Sequence, residues 1–262
     1  MTTATLKPLT IDVSQFGNAS QHVEVIRHNL ARGLPEFAPA LVAHDGTMVC
    51  VGSGTSLPTV IDQIKEERAK GRPICAVKGA HDYLCEQGIE PDLFVSVEPR
   101  DRRSNLKHKN KHTAYLLSSR VAVEVFDHLA DCRVMVWNAF GTSEEMKAFK
   151  HRASHACGGG STSGLRAIAM GYLMGFRNFV LYGYDSCNAP DGTKRIDGAK
   201  TGVTQEVIVG GQRFSCNMAM AAQANEFQLV TYSLLPGIHI EAKGGGLIAA
   251  ILDERKRQGK RV

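Results

Sequence analysis

The chain has 262 residues, 43% hydrophobic and 22% charged, with 31 Lys and Arg against 26 Asp and Glu for a formal charge of +5. That length can bury a sizeable core, as one large or two small domains. No apolar run reaches the roughly 20 residues of a bilayer span, residues 1–21 lack a signal-peptide apolar segment, and the seven cysteines form no C-x-x-C pair, so the expectation is a cytoplasmic protein with buried thiols and no membrane span, disulfide framework or zinc site.

In chain order, residues 19–33 set Val23, Ile26 and Leu30 on one helical face, and Gly33 and Pro35 end the pattern. Strand-like apolar runs follow at 47–51, 74–77, 93–97, 115–117, 134–136 and 179–182. Helical segments at 57–69, 79–87, 121–129, 143–150 and 162–174 separate most of them. Short, nearly continuous apolar strands alternating with amphipathic helices predict an α/β fold: a Rossmann-like, doubly wound, mostly parallel sheet with helices on both faces. Residues 207–209 and 213–214, joined through Gly210 and Gly211, read as a hairpin, and helices at 216–232 and 246–257 close the chain. The expectation is a single domain over 1–262, with a helical extension at 1–44 and a lid or insertion at 186–217.

Ligands of such sheets bind outside the carboxyl ends of the strands. The first exit is Gly52-Ser53-Gly54-Thr55-Ser56-Leu57, with Ser56 as helix N-cap and Pro58 in the first turn. A strand, a glycine turn and a helix start make an anion site, because unpaired N–H groups point out of the first helical turn. The loop is neither a G-x-G-x-x-G fingerprint nor a P-loop. A second such entrance, 157–164, carries Gly158, Gly159, Gly160, Ser161, Thr162, Ser163 and Gly164 ahead of an apolar helix, and Gly244, Gly245 and Gly246 form a third. Other exits offer Lys78 for a phosphate, His81 as a base or a solvated helix residue, Glu98 as a metal or hydroxyl contact, and Trp137 as a stacking or core residue. The strongest strand ends on Gly183, Tyr184 and Asp185. The basic segments 100–111 and 254–262 read as solvated surface, or as contacts for nucleotide phosphates or nucleic acid.

The segment from Val51 to Leu57, Lys78-Gly79-Ala80-His81-Asp82, Gly88-Ile89-Glu90-Pro91-Asp92 and the run from Gly160 to Asp185 together resemble the central domain of the MptE-like and Maf (motility accessory factor) family. Both halves are also similar to the Campylobacter-type bacterial sialyltransferases. The match spans about residues 45–250, with Thr55 where the family has Pro and Glu98 where Maf proteins have Asp. The resemblance implies a transferase that grips a nucleotide through Gly52, Ser53, Gly54, Ser56, Thr162, Ser163 and Gly164, with Gly160 and Lys78 beside them. Lacking the flanking regions of typical Maf proteins, the chain is not expected to act on flagellin, and a phage or prophage source fits its compactness.

Two chemistries follow. Sugar transfer from a nucleotide-activated donor needs a base for the acceptor hydroxyl (Asp185, Glu98 or His81) and positive charge for the leaving phosphate (Lys78, Arg100). MptE-type transfer of diphosphate from ATP to 6-hydroxymethyl-dihydropterin or a similar alcohol needs magnesium, with Glu98 and Asp185 as its oxygen ligands. The same two carboxylates equally suit helix capping or ion pairing. A third reading is a non-catalytic nucleotide or nucleic-acid binder; the acceptor and any homo-oligomer stay open. A bulky residue at Gly54 is expected to abolish nucleotide binding and leave the fold intact.

Overall fold

The computed structural model describes residues 19–40, 42–139, 141–149, 156–201 and 205–260. Residues 1–18 and 41 of the expected extension at 1–44, the end of the helix expected at 143–150, part of the 186–217 segment and the end of the basic tail lie outside them.

Eight strands form one sheet: β1 (His44–Val51), β2 (Ile74–Ala76), β3 (Leu93–Ser96), β4 (Ala114–Ser118), β5 (Arg133–Ala139), β6 (Ala156–Cys157), β7 (Phe176–Tyr182) and, after the hairpin β8 (Gln205–Val209) and β9 (Gln212–Cys216), β10 (His239–Lys243). Their order is β10-β7-β1-β2-β3-β4-β5-β6, and every pair in it is parallel. The strands are short apolar runs because both faces are covered. Along β1, Met48 and Cys50 enter one apolar cluster and Val49 and Val51 another, as a period of two demands.

On the first face lie α6 (Ser163–Leu173), α7 (Met218–Leu229) and α8 (Gly246–Arg257), which contribute Leu165, Ile168, Phe227, Leu247 and Ile251. The opposite face is covered by α1 (Ala19–Ala31), α2 (Ile61–Ala69), α3 (Ala80–Glu86) and α4 (Val123–His128), through Ile26, Leu30, Ile64, Leu84, Val125 and Phe126. A helix of seven residues, α5 (Ser143–Phe149), packs Phe149 into the same side. This is the doubly wound α/β architecture expected from the alternating pattern.

Two local differences have physical causes. The helix expected at 57–69 starts as a 3-10 turn, Leu57–Val60, before α2. The helix expected at 216–232 ends at Leu229 and continues as a wider turn, Val230–Leu234, where the Thr231 hydroxyl donates to the Phe227 carbonyl at 2.7 Å. No helix among the described residues is long and apolar enough to cross a membrane.

Candidate functional site

Strand order reverses between β1 and β7, so their carboxyl ends bound the crevice in which open α/β sheets bind ligands. There the two exit loops touch. The Gly52 N–H donates to the Tyr182 carbonyl at 2.8 Å and the Gly54 N–H to the Gly183 carbonyl at 2.9 Å. A Cβ on Gly52 would stand 2.6 Å from the Gly183 oxygen, and one on Gly54 would stand 2.5 Å from the Asp185 carboxyl carbon. These glycines permit loop to meet loop, which local sequence could not distinguish from loop meeting ligand.

Asp185 is 4% exposed and its carboxylate fills the first glycine loop. It accepts from the Ser56 N–H at 2.8 Å, the Ser56 hydroxyl at 2.5 Å and the Thr55 hydroxyl at 3.2 Å. Ser56 therefore does not cap with its own side chain, as expected from sequence. Its backbone is already helical at φ −73, and its hydroxyl turns to Asp185 instead. The Asp185 carbonyl also accepts from the Leu247 N–H at 2.7 Å, which ties in the third glycine entrance.

At the second entrance, Thr162 caps α6 by accepting from the Leu165 N–H. The Ser163 hydroxyl accepts from the Val97 N–H at 3.2 Å, the Tyr184 hydroxyl donates to the Gly164 carbonyl at 3.0 Å, and Gly160 holds φ +95 over Leu165. The anion expected at this helix start is present as a side chain: Glu226 of α7 accepts from the Ser161 N–H at 2.9 Å and its hydroxyl at 2.6 Å. Both glycine elements thus hold a carboxylate of the protein itself.

What remains open lies beside the first loop. Among the described residues the N–H groups of Ser53 and Thr55 donate to no acceptor. Lys78, at the exit of β2, stands at φ +54, in the left-handed region that costs a side-chain-bearing residue roughly 1–2 kcal/mol. Its ammonium makes no hydrogen bond or ion pair among the described residues. Burial pushes it below its ordinary pKa; Glu98 opposes that shift, and Arg195, Arg100 and Arg102 add to it. Arg195 comes from the loop after β7, which settles on the glycine loop where the Ile196 N–H donates to the Ser53 carbonyl at 3.1 Å. Sequence gave Arg195 no role; only the fold brings it to Lys78.

Glu98 is gripped by Arg100, Nε to Oε1 at 2.6 Å and Nη2 to Oε2 at 2.9 Å. Burial pushes its carboxyl up, but Arg100, aided by Arg102, outweighs burial and holds it below its ordinary range. Asp185 is bonded by Ser56 and Thr55, Glu98 is held by Arg100 and keeps part of its surface exposed, and the described residues contain no group of three His, Cys, Asp or Glu that could hold a cation. The donor set does not fit a protein-held magnesium ion.

His81 is neither solvated nor at the crevice. It is 0% exposed, with Nδ1 3.1 Å from Asp82 and Nε2 3.2 Å from the Tyr115 hydroxyl. Asp82 also accepts from the N–H groups of Lys107 and His108, so the pair docks the basic loop instead of facing substrate. Trp137 is a core residue that donates to the Leu116 carbonyl at 3.1 Å. In the 100–111 segment, Arg100, Arg103 and Lys109 are paired with Glu98, Asp101 and Asp131, which takes away much of its appeal to nucleic acid.

A parallel sheet reversing between β1 and β7, with glycine-rich helix starts gathered at that reversal, defines a Rossmann-like α/β domain. The solved structure of a MAf glycosyltransferase from Magnetospirillum magneticum AMB-1 shares this fold, with a TM-score of 0.70 and 17% identity over 89% of this chain and 38% of that one. The chain therefore spans well under half of that protein. The family model for 6-hydroxymethylpterin diphosphokinase MptE-like proteins matches residues 20–191, and the chain belongs to that family. A mammalian sialyltransferase in complex with Gal-beta-1-3GalNAc-ortho-nitrophenol aligns over 90% of both chains at 10% identity, but a TM-score of 0.38 is too slight to argue from. A comparison with curated proteins gives no match.

Proposed function

We propose that this protein is a nucleotide-dependent transferase that moves a sugar from a nucleotide-activated donor to an acceptor hydroxyl. The observation that carries the reading is Lys78: a strained, half-buried, unpaired cation at the switch-point edge, with Arg100, Arg102 and Arg195 around it and the free N–H groups of Ser53 and Thr55 nearby. An arrangement of that kind stabilises charge on a departing phosphate. As the bond from sugar carbon to phosphate oxygen breaks, its electron pair goes to that oxygen, and Lys78 offsets the charge. The acceptor oxygen bonds to the sugar carbon, and Glu98, the partly exposed carboxylate beside Lys78, takes the acceptor proton. Asp185 holds the loop.

The family description favours a second reading, diphosphate transfer, with the same cations receiving a nucleoside triphosphate. Supporting sugar transfer over it is the engagement of Asp185 by Ser56 and Thr55, which removes it as an open magnesium ligand. A thermal-shift panel of CMP, UDP, GDP, ADP and ATP, with and without magnesium, separates them. A metal-independent shift by CMP, UDP or GDP that Lys78→Met removes is the expected result. A magnesium-dependent shift confined to ATP would select the second reading, and silence from every nucleotide would overturn both.

A further inference from the structure

The segment that leaves β7 carries polar groups that the protein does not satisfy. The Ser186 hydroxyl and both amide atoms of Asn188 are buried without a hydrogen-bond partner among the described residues, in residues only 9% and 8% exposed. Buried polar side chains nearly always find a partner, and an amide that is open on both its donor and its acceptor is a rare exception. The backbone gives these side chains little freedom to escape. The Asn188 N–H donates to the Ser215 carbonyl at 2.7 Å, and the Ser186 carbonyl accepts from Cys216 Sγ at 3.3 Å. Ser186 is also held at φ +49, a left-handed conformation usually left to glycine.

Their position gives the orphaned groups a meaning. Tyr184, two residues before Ser186, is bonded to Gly164; Asp185 is bonded to Ser56 and Leu247. All three glycine-rich helix starts therefore converge on the turn that carries Ser186 and Asn188. From Asn188 the chain runs on to Arg195 and Ile196, which reach Lys78 and Ser53. One short stretch thus links the orphaned amide to the cationic edge.

We infer that Asn188, with the Ser186 hydroxyl beside it, is a recognition subsite for the nucleobase of the nucleotide whose phosphate lies at Lys78; this rests on the nucleotide reading above. A carboxamide presents a donor and an acceptor side by side. A nucleobase edge returns that pattern, as in the bidentate amide–base pairs of nucleic-acid recognition. Phosphate oxygens only accept and would leave the amide oxygen unpaired. A site built to bond such an edge rejects ligands that lack it, because its own polar groups are then stranded.

Calorimetric titration of the full chain with CMP, UMP, AMP, GMP and ribose 5-phosphate tests this. At least one nucleotide is expected to bind about tenfold or more tightly than ribose 5-phosphate. Asn188→Leu, which removes the stranded atoms at similar volume, should bring that nucleotide down to the level of ribose 5-phosphate, leave ribose 5-phosphate itself unchanged and keep or raise the melting temperature of the free protein. Asn188→Asp, which trades a donor for an acceptor, should change which base is preferred, and Ser186→Ala should weaken the preferred nucleotide in a variant with minimal structural burden. The inference is overturned if Asn188→Leu and Ser186→Ala both keep the wild-type gap between nucleotide and ribose 5-phosphate, since the orphaned groups then serve only buried water. Should the wild type bind neither nucleotides nor ribose 5-phosphate, the nucleotide reading itself is what fails.

Discussion

At the amino edge of the sheet, Asp92 accepts from Arg68 Nη1 at 2.8 Å and from the Ile74 N–H at 2.7 Å, and the Thr113 hydroxyl donates to the Pro91 carbonyl at 2.6 Å. Glu67 is answered by both Lys70 and Arg72. At the carboxyl edge of the same sheet, among the described residues, Lys78 has no ion pair, the Asn188 amide is open on both atoms, and the two non-glycine residues with positive φ, Lys78 and Ser186, both occur there. Strands do not enforce this asymmetry, since every strand has two ends. One end, the finished one, answers its charged groups and leaves Asn110 Nδ2, before β4, as its buried exception; the other concentrates backbone strain and the orphaned Asn188 amide, which persist where surrounding structure imposes them for a task. A shallow groove lined by Arg68, Ile89, Glu90, Pro91 and Asp92 belongs to the finished end.

The comparison is most severely tested at Asp185, where the working edge depends on a fully bonded carboxylate. Asp185→Ala strands the Ser56 N–H and hydroxyl in the interior and should cost about 3 kcal/mol by urea denaturation, with all nucleotide binding lost. Gly54→Val should approach the same loss, because its side chain would displace the Asp185 carboxylate. The expectation for a bulky residue at Gly54 is therefore a loss of stability as well as of binding, where the sequence suggested a loss of binding alone. The two changes attack one contact, so the double variant should lose much less than the sum.

At the finished edge, Asp92→Ala removes the Arg68 pair and the acceptor for Ile74, and about 1–2 kcal/mol should go with it. Nucleotide affinity, measured on the same preparation, should not change. A parallel fall in affinity would break the division between the edges.

Lys78→Met probes the opposite trade: roughly tenfold weaker nucleotide binding with equal or slightly higher stability. The pH dependence has a definite sign. A lysine whose folded pKa lies below its unfolded value of 10.5 binds fewer protons in the native state, so its cost to stability is present below the folded pKa and disappears as pH rises toward 10.5. The stability gap between Lys78→Met and wild type should therefore close on the alkaline side. Acid titration does not separate the edges. Burial raises Glu67 and Glu98, yet their basic partners hold both below 4.5, so each adds stability above that pH and loses it as pH falls through the folded value.

The architecture was legible because strand and helix periods are local: Met48, Val49, Cys50 and Val51 announce a strand covered on both faces without knowledge of any neighbour. The glycine entrances were equally visible, but what fills them was not. Asp185 lies 129 positions from Ser56, and Glu226 lies 65 from Ser161. No spacing rule connects residues so distant, and a carboxylate in an anion seat leaves the same sequence signature as an empty one. His81 misled for a related reason. Its neighbours suggested a helix surface, whereas the ring is enclosed by Asp82, Phe94 and Tyr115, the last two from neighbouring strands. Arg195 and Asn188 carried no local signal at all.

The smallest effect falls on Glu226, where the two kinds of region meet. Its carboxylate satisfies Ser161 at the start of α6, as a residue of the finished edge would, yet it is a half-buried rim contact on the working edge. If the seat is purely structural, Glu226→Gln should leave phosphate binding alone and cost a few tenths of a kcal/mol of helix-terminus stabilisation. If the seat is shared with ligand, the native carboxylate competes with incoming phosphate. Removing its charge should then tighten phosphate and nucleotide binding by about two- to fivefold, a differential of about 0.4–1 kcal/mol, with the gain fading at high salt. Calorimetry at low and high ionic strength decides between these outcomes. An affinity gain that salt erases would place the second glycine entrance with the open edge, even though its anion is already in place.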